Sequence, residues 1–282
     1  MLKEIISKNN AKLFDLIKEQ TDLGFYQITK IIDSKSVKIN GKRVNDNVTV
    51  KAEDEIFIYI KDREKDKIDI IYEDKNIIVV DKPQNMEVEG TDSLKEKLEI
   101  TYAEKSFFAV HRLDRNTMGL VVFALNQQSQ SELEKAFKDK YVNKFYHAIV
   151  VGRPKTPVAT LKAFLFKDAK KSLAIVSSIA KTRYLPIETR YKLLKKRGEL
   201  SLLQVQLITG RTHQIRAHLA HEKMPVLGDG KYGINALNKK YKQKWQLLAH
   251  VLMKFTFPKN SPLNYLNKQT IKLEKDLWSF IG

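Results

Sequence analysis

Residues 111–120 read HRLDRNTMGL and place one carboxylate, Asp114, between Arg112 and Arg115. Such a group is either an ordinary surface ion pair or an anion held ionised for chemistry, and its sequence neighbours leave both readings open. The chain has no cysteine, which removes disulfides, thiolate metal sites and a thiol nucleophile. Covalent chemistry would then fall to Ser, Thr, Asp, Glu, Lys, His or Tyr. His213, His218 and His221 invite a metal reading, yet their i, i+5, i+8 spacing does not bring three imidazoles to one helix face, and only Glu222 stands near as a carboxylate. No metal site is expected. GDGKYG, residues 228–233, has neither the phosphate-loop nor the dinucleotide glycine spacing, so no nucleotide cofactor is expected either.

These groups need a frame, and its periodicities can be read. NIIVVDKP (76–83) is a short buried strand ended by Pro83, and LVVFAL (120–125) is another. LLQVQLIT (202–209) alternates Leu203, Val205 and Leu207 against glutamines, as a half-buried strand does. SQSELEKAFKDK (129–140) is an amphipathic helix with Leu133, Ala136 and Phe137 inward, and HQIRAHLAHE (213–222) is a helix with Ile215 and Leu219 on its apolar face. Strands outnumber helices without strict βαβ alternation, and there is no internal repeat. The expected fold class is α+β with a mostly antiparallel sheet.

A charged stretch, KDREKDK (61–67), divides two differently patterned segments. The expected organisation is a module over 1–60, a linker over 61–68 and a larger domain over 69–282. In the module, Leu13, Leu16 and Ile17 space as one helical face and Ile28, Ile31 and Ile32 as another. SVKINGKRV then reads as a β-hairpin turning at Asn40-Gly41, and DEIFIYI as a closing strand. Lys38, Lys42 and Arg43 on the hairpin form a basic surface.

With 282 residues, 43% of them hydrophobic, the chain can bury a sizeable core. No apolar run approaches the roughly 20 residues of a membrane span and the first residues lack a secretory stretch, so a cytoplasmic location without membrane contact is expected. Lys and Arg number 51 against 33 Asp and Glu, a formal +18. Residues 1–60 carry 10 basic and 9 acidic side chains, which leaves +17 for residues 61–282. A balance this basic points to a polyanion, most often nucleic acid; lysine-rich residue usage is the alternative reading.

Four segments, in order, resemble the RluA-type pseudouridine synthases, which isomerise uridine in RNA. IIYEDKNIIVVDKP resembles their first strands, HRLDRNTMGLVVFALN their aspartate motif, KFYHAIVVG their tyrosine motif, and LLQVQLITGRTHQIRAHLAHEKMPVLGDGKYG their arginine motif. The resemblance covers about residues 69–258. The module resembles the S4 RNA-binding domain, although KAEDEI stands where that family has a glycine-aspartate turn and Lys12 where it has an arginine.

The resemblance implies a pseudouridine synthase domain with Asp114, Tyr146 and Arg211 as its catalytic set, working without cofactor. Asp114 would act at the anomeric carbon, at C6 of the base, or through a glycal. Arg211 is the implied ion-pair partner that keeps Asp114 charged in an enclosed site. Tyr146 would face the flipped base, Arg112 would fill the space that the base vacates, and Arg115 would meet RNA. Lys38, Lys42 and Arg43 would hold phosphates, and KKYKQKWQ (239–246) could do the same. The expected partner is RNA, of 23S ribosomal type or alternatively transfer RNA, with the protein acting as a monomer. A catalytically silent RNA-binding or assembly factor and a metal-dependent RNA hydrolase are the competing classes.

Overall fold

The computed structural model describes residues 2–21, 23, 25–59 and 68–281. Residues 61–67 of the expected linker lie outside the described residues. The chain divides into two compact units, residues 1–67 with 96–104, and residues 68–95 with 105–282. The second is therefore not one continuous run, as 69–282 would be.

The first unit runs β1 (Leu2–Ile6), β2 (Ala11–Lys12), α1 (Leu13–Gln20), α2 (Phe25–Asp33), β3 (Val37–Ile39), β4 (Lys42–Val44), β5 (Thr49–Val50) and β6 (Glu55–Tyr59). Its sheet has the order β1-β6-β3-β4. Leu13, Leu16, Ile17, Ile28 and Ile32 are buried, as their spacing requires, against Val37, Ile56 and Ile58. Asn40 and Gly41 turn the hairpin with φ of 48° and 78°, the paired positive values of a tight two-residue loop. The first strand was not visible as one. LKEII alternates too briefly to register until β6 pairs with it, Ile5 opposite Ile56.

In chain order the second unit carries β7 (Asp69–Glu73), β8 (Ile77–Lys82), the start of α3 (Leu94–Thr101), β9 (Phe108–Ala109), β10 (Met118–Ala124), α4 (Gln127–Lys138), β11 (Val142–Val151), β12 (Val158–Asp168), β13 (Leu173–Ser177), β14 (Leu185–Arg197), β15 (Leu200–Leu207), α5 (Gln214–His221), α6 (Asn235–Lys240), β16 (Leu248–Phe255) and β17 (Thr270–Lys272). Its 11-stranded sheet has the order β13-β12-β14-β15-β11-β16-β10-β8-β7, with β17 on β16 and β9 on β10. Among these strands every pairing is antiparallel except β10 with β16. The α+β, mostly antiparallel expectation holds.

The parallel junction with β16 sets the position of β10, the strand that follows Asp114. All seven residues of β10 are buried, and Gly119 lies beside His250 of β16. Gly119 has φ of +106°, and a Cβ there would sit 2.2 Å from the His250 carbonyl oxygen. Only a residue without a side chain lets the two strands close.

Candidate active site

Asp114 stands on a tight turn immediately before β10, closed by Thr117 N donating to the Asp114 carbonyl over 2.9 Å. The turn is fastened from three sides. Gln246 Nε2 donates to Thr117 Oγ1 over 2.8 Å, and Met86 N donates to the Arg115 carbonyl over 3.1 Å. The fully buried Lys82, at the end of β8, donates from Nζ to the carbonyls of Pro83, Met86 and Arg115 over 2.8, 2.7 and 3.0 Å. Burial pushes this ammonium down to about 8, against the pull of Glu87, Asp114 and Asp81. Three carbonyl acceptors are what satisfy a buried cation that has no carboxylate bond.

The guanidinium partner of Asp114 is Arg216, and the expected pairing with Arg211 is corrected. Arg216 Nη1 donates to Asp114 Oδ2 over 2.8 Å. The opposite edge of the guanidinium grips the fully buried Asp229, with Nε on Oδ2 at 2.6 Å and Nη2 on Oδ1 at 2.9 Å. Both arginines occur in TGRTHQIR, and the helix start separates them. α5 begins at Gln214, which puts Arg216 in its first turn, buried, while Arg211 lies in the preceding turn with an exposed side chain on the rim. Gln214 fixes that turn, accepting from Arg211 N and Thr209 Oγ1 and donating to the Glu188 carbonyl and Thr189 Oγ1.

Burial alone would lower Arg216, but its bonds to Asp229 and then Asp114 raise it. Burial would raise Asp229, but Arg216 and the backbone N–H groups of Lys231 and Tyr232 lower it. The Tyr232 ring lies 5.2 Å from the guanidinium centre, and its hydroxyl meets His213 Nδ1 at 2.9 Å. His213 Nε2 is 3.9 Å from Asp114 Oδ2, yet burial keeps this ring below its ordinary value against the pull of Asp114.

Tyr146 lines the same cleft from β11, with 5% exposure. A register shift between Phe145 and Tyr146 sets it opposite His250 of β16, and the two rings stack at 4.6 Å and 19°. The extra residue of the shift is Val251 on β16, so β11 keeps its alternation and the bulge brings His250 under Tyr146. Burial, and then Asp114, pushes the phenol above its ordinary range, so it stays protonated. His250 is fully buried, holds Nδ1 2.7 Å from the Leu120 carbonyl, and is pushed down to about 3 by burial. A neutral ring therefore backs Tyr146.

The cleft measures about 1170 Å³. Asp114, Tyr146, Arg211, Arg112 and Arg115 all line it. Arg112 is exposed, with Glu87 at 3.6 Å, and Arg115 Nε donates to Asn85 Oδ1 over 3.1 Å. Lys38, Lys42 and Arg43 lie in the other unit. Lys42 and Arg43 are exposed on the hairpin, and Lys38 Nζ sits 5.5 Å over the Tyr59 ring. The three histidines of the α5 region go to three partners, His213 to Tyr232, His218 to Thr189 and His221 to Ser178. Among the described residues no group of three His, Cys, Asp or Glu converges as metal ligands would. Of KKYKQKWQ, Gln246 reaches the cleft.

Among the site residues to which the sequence assigns no role are Arg216, Asp229, Lys82 and His250. The signals for the last three were a lone acid between glycines in GDGKYG, a lysine closing an apolar strand in VVDKP, and a histidine inside the apolar run LLAHVLM.

Known proteins are similar to this chain in sequence and in fold. The family described as RNA pseudouridylate synthase matches residues 76–221, a span that holds Asp114, Tyr146, Arg211 and Arg216. The chain is 35% identical over 301 aligned residues to a protein of Mycoplasma capricolum described as an uncharacterized RNA pseudouridine synthase, covering 96% of this chain and 97% of that one. It is 32% identical to the Ribosomal large subunit pseudouridine synthase C of Vibrio parahaemolyticus, over 91% of this chain and 88% of that one. In fold it is similar to Human RNA Pseudouridylate Synthase Domain Containing 1, with a TM-score of 0.63 and 20% identity, over 77% of this chain and 86% of that one. Sequence likeness across nearly the whole length, and a family match that spans both members of the Asp114–Arg216 pair, make this chain a member of the RNA pseudouridylate synthase family.

Proposed function

We propose that the protein converts uridine to pseudouridine in large-subunit ribosomal RNA and that Asp114 is the group that works on the uridine. The observation that carries this reading is the Asp114–Arg216 pair, set in a cleft whose lining holds nine Lys and Arg against Glu87 and Asp114. Such a lining suits a polyanion, and the Vibrio relative is named for the large ribosomal subunit. The reaction breaks the N1–C1′ bond, turns the uracil and joins C5 to C1′. C5 loses a proton and N1 gains one, so no electrons enter or leave.

In this reading Asp114 attacks C1′ or C6, or assists a glycal, while Arg216 fixes its orientation and compensates its charge. Arg216 is itself immobilised by Asp229, so the carboxylate is aimed before RNA arrives. Tyr146 offers a protonated phenol and a ring face for a base turned out of its stack. Arg112 and Arg115 hold the displaced strand, and Arg211, exposed at the rim, is a phosphate contact. The first unit is an S4-like RNA-binding module in which Lys38, Lys42 and Arg43 meet the backbone. The protein acts as a monomer in the cytoplasm in this reading; no helix among the described residues is long and apolar enough to cross a membrane.

The test is incubation with unmodified large-subunit ribosomal RNA and, separately, transfer RNA, followed by nucleoside analysis. Pseudouridine at defined ribosomal positions is expected. Conversion of transfer RNA alone would overturn the substrate, and conversion of neither would overturn the activity.

A further inference from the structure

Lys144 is a partly buried cation that the pairing of Asp114 with Arg216 leaves unused. It lies on β11, two residues before Tyr146, in the middle of the sheet between Leu207 of β15 and Met253 of β16. Its Nζ sits 5.2 Å over the Phe137 ring, and a Cβ built at Gly210 would be 3.7 Å from it. Burial is the sole cause that lowers its ammonium, so no acidic group offsets the desolvation. Of the two carboxylates that line the cleft, Asp114 is engaged by Arg216, and Glu87 lies beside Arg112. Lys144 lines that cleft with Tyr146, and its Nζ is not among the sealed polar atoms. The ammonium is held by a ring face, open on one side, with no anion beside it among the described residues.

A cation in this position costs free energy in the empty protein, and an arriving negative charge returns it. A uracil carbonyl brings only a dipole. A nucleotide drawn into the cleft brings one full charge per phosphodiester, and the glycine at 210 leaves the approach open on the side of the TGRT turn. We propose that Lys144 is the seat for one RNA phosphate flanking the target uridine, so that the nucleotide is held at its backbone by Lys144 and at its base by Tyr146. The phosphate in question is RNA backbone, so the proposal rests on the reading of the cleft as an RNA site.

The test uses the full-length protein and a ribosomal RNA fragment containing a converted uridine, with each flanking linkage replaced in turn by a neutral methylphosphonate. One replacement should weaken binding to the parent protein by about tenfold, the scale of a charge-assisted hydrogen bond. Lys144→Met should bind the unmodified RNA about as weakly and show no further loss with that linkage, a coupling that a packing role would not produce. Its salt slope should fall by roughly 0.7–0.9, one contact. Lys144→Arg should restore most of the affinity. Equal losses in parent and Lys144→Met at every linkage, or an unchanged salt slope, would overturn the proposal. Should Lys144→Met fail to fold, the linkage scan on the parent and on Lys144→Arg still decides: indifference of both to every neutral linkage near the uridine overturns it. Conversion of the unmodified fragment by the parent reads the proposed function separately, and binding and its salt slope are scored whether or not conversion occurs.

Discussion

Arg216 donates to Asp114 over 2.8 Å across 102 positions of chain. The rest of its guanidinium is locked on Asp229 by two further bonds, so neither the angle nor the depth of the Asp114 contact is free to vary. A planar fork can serve two carboxylates in one plane, whereas a point charge cannot.

Arg216→Lys is accordingly expected to lower single-turnover pseudouridine formation by at least about 100-fold, roughly 2.7 kcal/mol of misplaced electrostatics. RNA affinity should stay near that of the parent. Arg211→Lys, on the exposed rim, should leave turnover at saturating RNA close to normal. Turnover and affinity measured side by side separate the two. The reverse ranking would restore Arg211 as the partner of Asp114.

The correction from Arg211 to Arg216 shows where legibility ended. HRLDRNTMGL could be read because its chemistry is contiguous: the acid, the turn and the strand after it are neighbours in the chain. TGRTHQIR contains two arginines, and what chooses between them is the phase of α5 against the cleft, set by His213 in the left-handed region at φ 54° and by Gln214 bonding back to the turn. Neither is a property of local periodicity. The same limit hid Asp229 and Lys82, whose roles exist only once the chain has brought carbonyls and a guanidinium to them. Three strands of the sheet, β8, β10 and β15, were legible, because alternation and unbroken apolar runs are local signals; β12 and β14, whose residues are half exposed and rich in charge, carry no such signal. Burial all round α5 was not legible either, since Arg216 and His218 read as a polar face until their partners were in place.

Gly119→Ala should be strongly destabilising. The new Cβ would meet the His250 carbonyl oxygen at 2.2 Å, on a backbone with φ of +106° that side chains resist. A cost above about 3 kcal/mol is expected. Thermal melting should show a fall in Tm of roughly 6–12 °C, or the protein should be lost to aggregation. Melting within about 2 °C of the parent would mean that β10 and β16 can separate at this point without consequence.

Acid should weaken the fold before its carboxylates titrate. Burial pushes His218 down to about 4 and His250 down to about 3, whereas an unfolded histidine has its ordinary value of 6.5. Below pH 6.5 the unfolded chain binds protons that the folded chain does not, so unfolding is favoured as pH falls. The stability is fully present above 6.5 and is lost progressively toward pH 4. Between pH 6.5 and 5 these two rings should account for a loss on the order of 2–4 kcal/mol, read as a falling Tm with a slope of at least about two protons, since burial also lowers His111, His147 and His213. A Tm that stays flat over this interval would mean that the buried histidines are as basic in the folded protein as in the unfolded one.

The central claim is that the Asp114 carboxylate performs the chemistry, and Asp114→Asn tests it with the least disturbance, since the amide keeps the shape and removes the charge. The measurement is pseudouridine formed, and hydrogen released from C5 of the target uridine, per protein in a single turnover at saturating ribosomal RNA, with RNA affinity measured in parallel. The account predicts product below about one part in 10⁴ of the parent rate, the scale for removing a nucleophile, with affinity changed by less than about threefold. A variant that turns over within about tenfold of the parent would contradict it, and Asp114 would then be only the structural partner of Arg216.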